Sequence, residues 1–474
     1  MAVVGHELVC LFYGLSVSDC FDDGGGNGAG ITIGCCALVA LDSQDQCDLV
    51  WMDDARHYRK RAHYLLVFCR CRRGISRFCI SFNQTANRGQ CGAEKPRRGM
   101  IMTKVLFQQF FFVSLLIMSG AASERVRAQD PYQLLRQSGD GFAQVEPGRA
   151  LFFPEDHYPH ERFKIEWWYL TANLTGSDGQ DYGVHWTLFR QAMSAAPNPG
   201  GWQSNQTWMA HTAISTPSGF EFSQRFARGG IGQAGVVTNE RNTFEAWMDD
   251  WLWQSDSSTP FPGQLTASTD NQQLKLRLNA SDKWVLQGKN GFSQKSDLGQ
   301  ASYYYSQPFI DITGTIWVGD DSVEVTGQGW LDREWSSQPL ADNQDGWDWV
   351  SLHLSDGSAL MVYQLRHDLG EHFISGSWVD ESGEVSVLES GDVTMTPQST
   401  TRVSIPSTVA PEARTSIKEI PLEWRVLVPK LGIDISVKTD RPNSWLATAF
   451  PYWEGPVVAE GSHRGVGYLE LTGY

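Results

Sequence analysis

Short runs of alternating apolar and polar residues, separated by turn residues, recur along the chain after about residue 160. The run Gly183–Gln191 alternates in this way and follows Ser177-Asp178-Gly179, which is a hairpin-type turn signal. Similar runs occupy residues 274–278, 313–318, 322–325, 350–354, 359–365, 376–379, 422–428, 433–437 and 466–471. Many short strands with glycine-rich turns predict an all-β protein built as a sandwich or barrel.

Helical patterning is confined to one short segment near residue 130. Asp130-Pro131 supplies an N-cap residue and a proline at the first helical position, ahead of Leu134 and Leu135. Residues 197–205 and 397–411 read as loops or linkers. Residues 336–345 separate two tryptophan-rich blocks, so we predict an N-terminal domain at 129–337 and a C-terminal domain at 338–474.

The cysteines divide the chain sharply. All nine precede residue 92, and the preceding stretch shows no sustained apolar alternation. We interpret residues 1–99 as a spurious, disordered N-terminal extension. The alternative is a small metal or disulfide domain built on Cys35-Cys36 and Cys69-x-Cys71, but the segment lacks the CxxC pairs that zinc sites commonly use.

The next segment resembles a secretory signal peptide. Met100–Lys104 is followed by the apolar run 105–120 and then by small residues, so cleavage after Ala122 or Ala128 fits. We therefore predict a signal at 100–128 and export to the periplasm or beyond. The alternative is a membrane anchor, but the run is interrupted by Gln108-Gln109 and is shorter than the roughly 20 residues of a span. We expect no stable membrane insertion after cleavage.

The predicted mature chain is strongly acidic. Residues 129–474 carry 23 Lys and Arg against 43 Asp and Glu, a net charge of −20. Such a surface argues against nucleic acid as a partner, because phosphates require a basic face. It also disfavours adhesion to anionic lipid.

Aromatic residues are dense and clustered. Residues 129–474 contain 18 Trp and 11 Tyr, with clusters at 166–169 (EWWY), 303–305 (YYY), 330–335 (WLDREW), 346–349 (GWDW) and 452–455 (YWEG). In four of the five clusters a carboxylate lies beside indole or phenol rings. Any one cluster alone fits a β-protein core, in which such a carboxylate accepts from an indole N–H. Recurrence in both halves of the chain favours a shared aromatic cavity.

Metal and cofactor signals are weak. His157-Tyr-Pro-His160-Glu161 has a faint metal-like spacing, but its proline and loop setting fit a surface turn better, so we predict no metal site. His185, His211 and His353 lie in predicted strands and face either a cavity or the interior. We find no G-x-S-x-G elbow, no H-E-x-x-H and no phosphate-binding loop, and predict no cofactor.

Several segments together resemble the AttH-like proteins, often described as predicted secreted hydrolases and related to bacterial carotenoid 1,2-hydratase (hydroxyneurosporene synthase). The segments are EWWY (166–169), SYYYSQP (302–308), GWLDREW (329–335), GWDWVSLHLSDGSALMVYQLR (346–366) and YWEG (452–455). The resemblance extends from residue 153 to the C-terminal GVGYLELTGY. It implies two lipocalin-like antiparallel β-barrels in tandem that act on, or hold, a hydrophobic small molecule of isoprenoid or lipid-like kind. Arg333 stands where relatives usually have His, and it suits anion binding better than proton transfer.

The chemistry of hydration points to carboxylic acids among aromatic rings. Protonating a C=C bond requires a buried carboxyl group with a raised pKa, and indole and phenol faces stabilise the resulting cation. The candidate catalytic residues are Asp332, Glu334, Asp348 and Glu166. The candidate ligand-binding residues are Trp167, Trp168, Tyr169, His185, Arg190, His211, Tyr304, Tyr305, Arg333, Trp335, Trp349, His353, Tyr363 and Trp453.

Alternatives remain open at the sequence level. The four acids can instead pair structurally with Arg333, Arg190 or Arg366. The protein can be a hydratase or hydrolase, a non-catalytic carrier of a lipophilic ligand that serves an envelope transport system, or a structural or adhesive protein. A catalyst predicts at least one cavity carboxylate without a basic partner, whereas a carrier predicts a cavity whose polar groups are all satisfied.

Overall fold

The computed structural model describes residues 132–405 and 416–474. The predicted extension 1–99 and the predicted signal 100–128 lie outside the described residues and stay predictions. Within the described ranges, no helix is long and apolar enough to span a membrane.

Helices are few and short. The predicted helix near residue 130 is present as one α-helical turn, Gln133–Arg136. Single 3₁₀ turns occupy Glu155–His157, Gly201–Gln203 and Pro429–Leu431. In the described part of the chain, β-structure therefore forms the framework.

The first sheet contains thirteen strands. They are β1 (Ile165–Gly176), β2 (Asp181–Ala192), β3 (Gln206–Thr216), β4 (Gly219–Arg228), β5 (Ala234–Thr238), β6 (Phe244–Met248), β7 (Trp251–Ser255), β8 (Gly263–Ser268), β9 (Gln272–Asn279), β10 (Val285–Leu286), β11 (Phe292–Gln294), β12 (Ala301–Val318) and β13 (Asp321–Ser336). The order is β4-β3-β2-β1-β13-β12-β9-β8-β7-β6-β5, and β10 and β11 pair with β12. Arg225 on β4 donates from Nη1 to the Met248 carbonyl of β6 at 3.2 Å, so the sheet curls almost into a barrel.

The second sheet contains ten strands. They are β14 (Gln344–Leu354), β15 (Ala359–His367), β16 (Phe373–Val379), β17 (Val385–Leu388), β18 (Thr394–Ile405), β19 (Ser416–Val428), β20 (Ile433–Lys438), β21 (Trp445–Leu446), β22 (Tyr452–Gly461) and β23 (Gly465–Thr472). The order is β17-β16-β15-β14-β23-β22-β20-β19-β18, with β21 beside β22. All strand pairs in both sheets are antiparallel, as the all-β prediction requires.

Each sheet encloses its own apolar core because side chains alternate between the two faces of a strand. Leu170, Trp186 and Leu276 belong to the first core. Val350 and Leu469 belong to the second.

The opposite faces of five central strands meet between the sheets. A third buried cluster there combines Tyr169 and Tyr304 from the first sheet with Trp349, Tyr363 and Tyr468 from the second. The Asn173 side chain donates to the Gly467 carbonyl at 3.0 Å across this boundary. Both sheets belong to one compact unit.

Candidate functional site

A cavity of about 300 Å³ lies where the outer faces of the two sheets meet. Its lining is mainly aromatic and aliphatic, with four ionisable side chains other than tyrosine. The lining residues are Leu134, Leu135, Ile165, Trp167, Tyr169, Phe189, Gln191, Thr207, Trp208, Met209, Phe226, Lys295, Tyr304, Asp332, Glu334, Pro339, Leu340, Trp347, Trp349, Tyr363, Leu365, Ala449, Phe450, Tyr452 and Glu470. Phe226 is 57% exposed, so the cavity reaches the surface beside it.

Strand alternation decides which members of each aromatic cluster face the cavity. In β13, Asp332 and Glu334 line it, whereas Leu331 packs in the first core and Arg333 and Trp335 lie on that same inner face. The other clusters divide in the same way: Trp167 and Tyr169, Tyr304, Trp347 and Trp349, and Tyr452 line the cavity, and their immediate neighbours do not.

Asp332 is a carboxyl group surrounded by neutral donors. Its Oδ1 accepts from Ser306 Oγ at 2.5 Å and from Trp330 Nε1 at 2.8 Å. Burial raises the pKa of Asp332 to about 7; the hydrogen bonds from Ser306, Trp330 and Tyr304 oppose the rise and the nearby Glu334 adds to it. Asp332 therefore holds its proton in a substantial fraction of molecules at neutral pH.

Glu334 has a basic partner in the same cavity. Lys295 Nζ lies 2.9 Å from its Oε1. The same ammonium lies 4.2 Å from the centroid of the Tyr363 ring and 4.8 Å from that of Tyr304. Burial lowers the pKa of Lys295, but Glu334 and Tyr363 outweigh that effect and leave it raised, so the ammonium stays charged.

Glu470 is a second cavity carboxyl without a basic side chain bonded to it among the described residues. Its Oε1 accepts from Trp347 Nε1 at 2.8 Å. Burial raises the pKa of Glu470 to about 8; the Trp347 hydrogen bond opposes this, and the charges of Asp332 and Glu334 add to it. The sequence interpretation missed Glu470, although it alternates with the core residues Leu469 and Leu471 in the C-terminal segment that carries the family resemblance.

A further acid, Glu454, contacts a cavity-lining residue but does not itself line the cavity. Glu454 is the cross-strand neighbour of Glu470, and it accepts a 2.5 Å hydrogen bond from the hydroxyl of cavity-lining Tyr169. Its other oxygen lies 3.3 Å from Nε2 of His185. Burial and the adjacent Glu470 raise the pKa of Glu454, while burial lowers that of His185, so both shifts favour the uncharged forms of the pair.

Glu166, predicted as a catalytic acid, lies inside the first sheet and does not line the cavity. It forms ion pairs with Arg190 and Arg333 and lies 3.1 Å from His160 Nδ1. Burial alone raises its pKa, but the two guanidinium groups outweigh burial and hold the pKa of Glu166 well below its usual range. Glu166 is therefore ionised and paired, the structural arrangement that the sequence left open.

Asp348 also lies away from the cavity lining. It pairs with Arg366 and accepts from Gln364 Nε2 at 3.0 Å and from the Tyr474 hydroxyl at 2.8 Å. Burial raises the pKa of Asp348 despite the Arg366 charge. Its contacts are those of a structural ion pair in the second sheet.

Arg333, which stands where relatives usually have His, makes structural contacts inside the first sheet. Its guanidinium lies 3.8 Å from the Trp168 ring centroid and donates to the Tyr158 carbonyl at 2.9 Å. Together with the Glu166 ion pair, these contacts hold the charge inside the first sheet.

The remaining predicted ligand-binding residues have other partners and do not line the cavity. They comprise Trp168 (to the His157 carbonyl, 2.9 Å), Arg190 (to the Phe163 carbonyl, 2.8 Å), His185 (to Thr187, 2.5 Å), His211 (to the Tyr452 hydroxyl, 2.9 Å), Tyr305 (to His157, 2.6 Å), Trp335 (stacked on His160, 3.9 Å), His353 (to the Pro308 carbonyl, 2.5 Å) and Trp453 (to the Pro442 carbonyl, 2.8 Å). In residues 132–405 and 416–474, no group of three or more His, Cys, Asp or Glu is placed to hold a metal ion.

Fold and site together define a lipocalin-like, all-β protein with an aromatic, carboxyl-bearing cavity between two antiparallel sheets. The model of the AttH-like family matches residues 144–474. The chain therefore belongs to the AttH-like family, which confirms the resemblance seen in the sequence.

Comparisons with solved structures and curated proteins identify several similar proteins. A crystal structure from Nitrosomonas europaea, of a protein described as an AttH, is 34% identical, covers 70% of this chain and 100% of its own, and has a TM-score of 0.59. That likeness confirms the predicted fold class. Kievitone hydratase from Nectria haematococca is 16% identical over 70% of this chain and 95% of its own, with a TM-score of 0.49. A quinolone epoxide rearrangement protein from Emericella nidulans is 21% identical over 280 residues, which are 58% of this chain and 74% of that protein.

Proposed function

We propose that this protein is an enzyme that protonates an uncharged, hydrophobic small molecule from Asp332 and hydrates or rearranges it. The substrate class is a lipophilic alkene or epoxide, whose reacting group requires a proton but carries no charge beforehand. The observation that supports this proposal is a cavity carboxyl group whose hydrogen-bond donors are all neutral.

The surroundings of Asp332 suit a general acid. A carboxyl group is an efficient proton donor near neutral pH when its pKa lies close to 7, as the pKa of Asp332 does. The other three predicted acids differ, because Glu166, Glu334 and Asp348 each have a cationic partner.

The proposed step balances within the cavity. On an alkene, the O–H bond of the Asp332 carboxyl and the C=C π bond break while a C–H bond forms, which leaves positive charge on the other carbon. On an epoxide, the carboxyl proton forms an O–H bond to the ring oxygen while one ring C–O bond breaks, and positive charge develops on that carbon. Water then forms a C–O bond and returns a proton to the Asp332 carboxylate. In a rearrangement, a C–H bond of the cation breaks instead, its electrons form a C=C bond, and the proton returns to the Asp332 carboxylate. Tyr169, Trp347 and Trp349 supply aromatic faces for the cationic stage.

The curated relative gives independent support to this reaction class. The Emericella nidulans protein is named for a quinolone epoxide rearrangement. Opening an epoxide is aided by a proton donor, which is the role proposed for Asp332.

Substitution of Asp332 tests the proposal. Wild-type protein and Asp332→Asn are incubated with lipophilic epoxides and terpenoid alkenes in ¹⁸O-labelled water, and products are followed by mass spectrometry. Asn preserves the shape but carries no acidic proton, so we expect a rate loss on the order of 10²–10⁴. Probe binding, measured by tryptophan fluorescence, should persist.

Asp434→Asn is the matched control, because Asp434 is about half exposed and lies in a surface ion pair with Arg425. An unchanged rate in Asp332→Asn would remove this residue from the mechanism. A wild-type protein that binds the probes and converts none would instead favour the carrier, the second candidate function.

A further inference from the structure

We infer that Glu470 and the aromatic rings beside it form a subsite for positive charge, whose ligand class is a lipophilic cation. This inference rests on the proposed function, since the subsite would face the cationic stage of that reaction. It adds a residue and a ligand chemistry that the Asp332 step does not require.

The subsite is built by two neighbouring strands of the second sheet and one strand of the first. Trp347 holds the Glu470 carboxyl through a 2.8 Å indole N–H bond. Trp349 is the cross-strand partner of Glu470, so the two side chains leave the sheet on the same face. Tyr169 meets Trp349 edge to face with a centroid separation of 5.4 Å.

The rings continue beyond Trp347. Phe450 stacks against the Trp347 indole at 5.9 Å and lies 6.3 Å from the Tyr452 ring. All of these residues line the same cavity. A carboxylate among indole and phenol rings suits an alkylammonium group, because ring faces are electron-rich and the carboxylate supplies the opposite charge.

The cavity lining also contains more acidic than basic side chains. Asp332, Glu334 and Glu470 line it, and Lys295 is the ammonium group among its lining residues. Lys295 already forms an ion pair with Glu334, with 2.9 Å between Nζ and Oε1. A bound cation would therefore find Glu470 without a competing basic partner in the described part of the chain.

Binding of a cation should depend on the protonation state of Glu470. The pKa of Glu470 is about 8, so the carboxyl is mostly protonated at pH 7. A cation stabilises the ionised form, and binding at pH 7 should release a proton. The charges of Asp332 and Glu334 raise the pKa of Glu470, and Lys295 lies beside Glu334. The charge of Glu470 in turn raises the pKa of its neighbours Glu454, Tyr169 and Tyr452.

A charged ligand and its uncharged isostere test the subsite directly. The probes are 6-hydroxyhexyl-trimethylammonium and 7,7-dimethyloctan-1-ol, which differ by N⁺ in place of carbon. Isothermal titration at pH 6 and pH 8.5 measures both. For wild type at pH 8.5 we expect the cation to bind about tenfold more tightly than the alcohol, with weaker preference at pH 6.

Glu470→Gln should abolish both the preference for the cation and its pH dependence while leaving the affinity for the alcohol unchanged. Glu460→Gln removes the same charge from an exposed ion pair with Lys438 and should behave as wild type. The cation preference is measured in wild type, so it does not depend on the folding of any variant.

The outcomes separate the two proposals. Equal affinity for cation and alcohol at pH 8.5 would overturn the cation subsite and leave the proposed function standing. A preference that persists in Glu470→Gln would also overturn it. If neither probe binds, the apolar cavity is not a ligand site and both proposals fail.

Discussion

At the scale of single residues, the same chemical group has opposite roles on the two faces of one sheet. Glu166 is enclosed by Arg190 and Arg333 and is held ionised. Asp332, on the strand paired with that of Glu166, has neutral donors and a raised pKa. The difference arises from the charges within reach of each carboxyl, because burial alone raises the pKa of both.

Removing the Glu166 charge should destabilise the fold strongly. Glu166→Gln leaves two buried guanidinium groups without their carboxylate, and losing one partner of a buried pair costs about 3–5 kcal/mol. Urea denaturation followed by tryptophan fluorescence measures the free energy of unfolding.

Asp434→Asn serves as the comparison, since it breaks an ion pair whose two side chains are about half exposed. Its loss should be far smaller than that of Glu166→Gln. Equal losses in the two variants would contradict the structural role assigned to the Glu166 network.

At the scale of elements, a central strand supplies side chains both to an apolar core and to the cavity. Strand β23 sends Leu469 and Leu471 into the second core and Glu470 into the cavity. Gly467 on the same strand lies so close to β14 that a Cβ atom would be 1.8 Å from the Ser351 carbonyl oxygen. Its own carbonyl accepts from Asn173 of the first sheet.

Gly467→Ala should therefore disturb strand pairing and the contact between the sheets together. Overpacking of this kind costs about 1–3 kcal/mol, measurable by thermal or urea unfolding. Val466→Ala is the neighbouring control, because Val466 is 42% exposed. A Gly467→Ala protein as stable as Val466→Ala would contradict the close approach of β23 to β14 at this glycine.

At the scale of the whole molecule, buried carboxyls with opposite pKa shifts shape the dependence of stability on pH. Asp332 and Glu470 keep their protons in the folded state up to about pH 7 and 8 but ionise near pH 4 when unfolded. Between those values the folded state binds more protons, so the free energy of unfolding falls as pH rises. Glu166, whose pKa is lowered, acts oppositely and loses its contribution as pH falls below about 4.5.

Four buried histidines, His157, His185, His211 and His353, have lowered pKa values and act in the opposite sense to these carboxyls below about pH 6.5. We therefore expect the free energy of unfolding to decline from pH 6.5 to pH 8, by an amount on the order of 2 kcal/mol. The double variant Asp332→Asn/Glu470→Gln should show a much flatter profile over that range. Denaturant unfolding at several pH values provides the measurement, and Asp434→Asn should retain the wild-type slope. A wild-type free energy of unfolding that rises from pH 6.5 to pH 8 would contradict the raised pKa values of Asp332 and Glu470.

Part of this organisation was predictable because it is local. Alternation along short strands predicted an all-β protein, and the clusters EWWY, SYYYSQP, GWLDREW and YWEG predicted an aromatic site. Trp167, Tyr169, Tyr304, Asp332, Glu334, Trp349 and Tyr363 were among the predicted site residues and do line the cavity.

The rest depended on which face of each strand meets the other sheet. Period-two alternation separates Asp332 from Arg333, but it does not say which face is interior and which is shared between sheets. Lys295 comes from a segment with little local signal, and Glu470 lies in a predicted strand whose alternation does not show that its polar face meets the other sheet. The sequence by itself determined the fold class and the residue types of the site. Only the tertiary structure decided which carboxyls have a cationic partner, because charges distant in the chain become neighbours through folding.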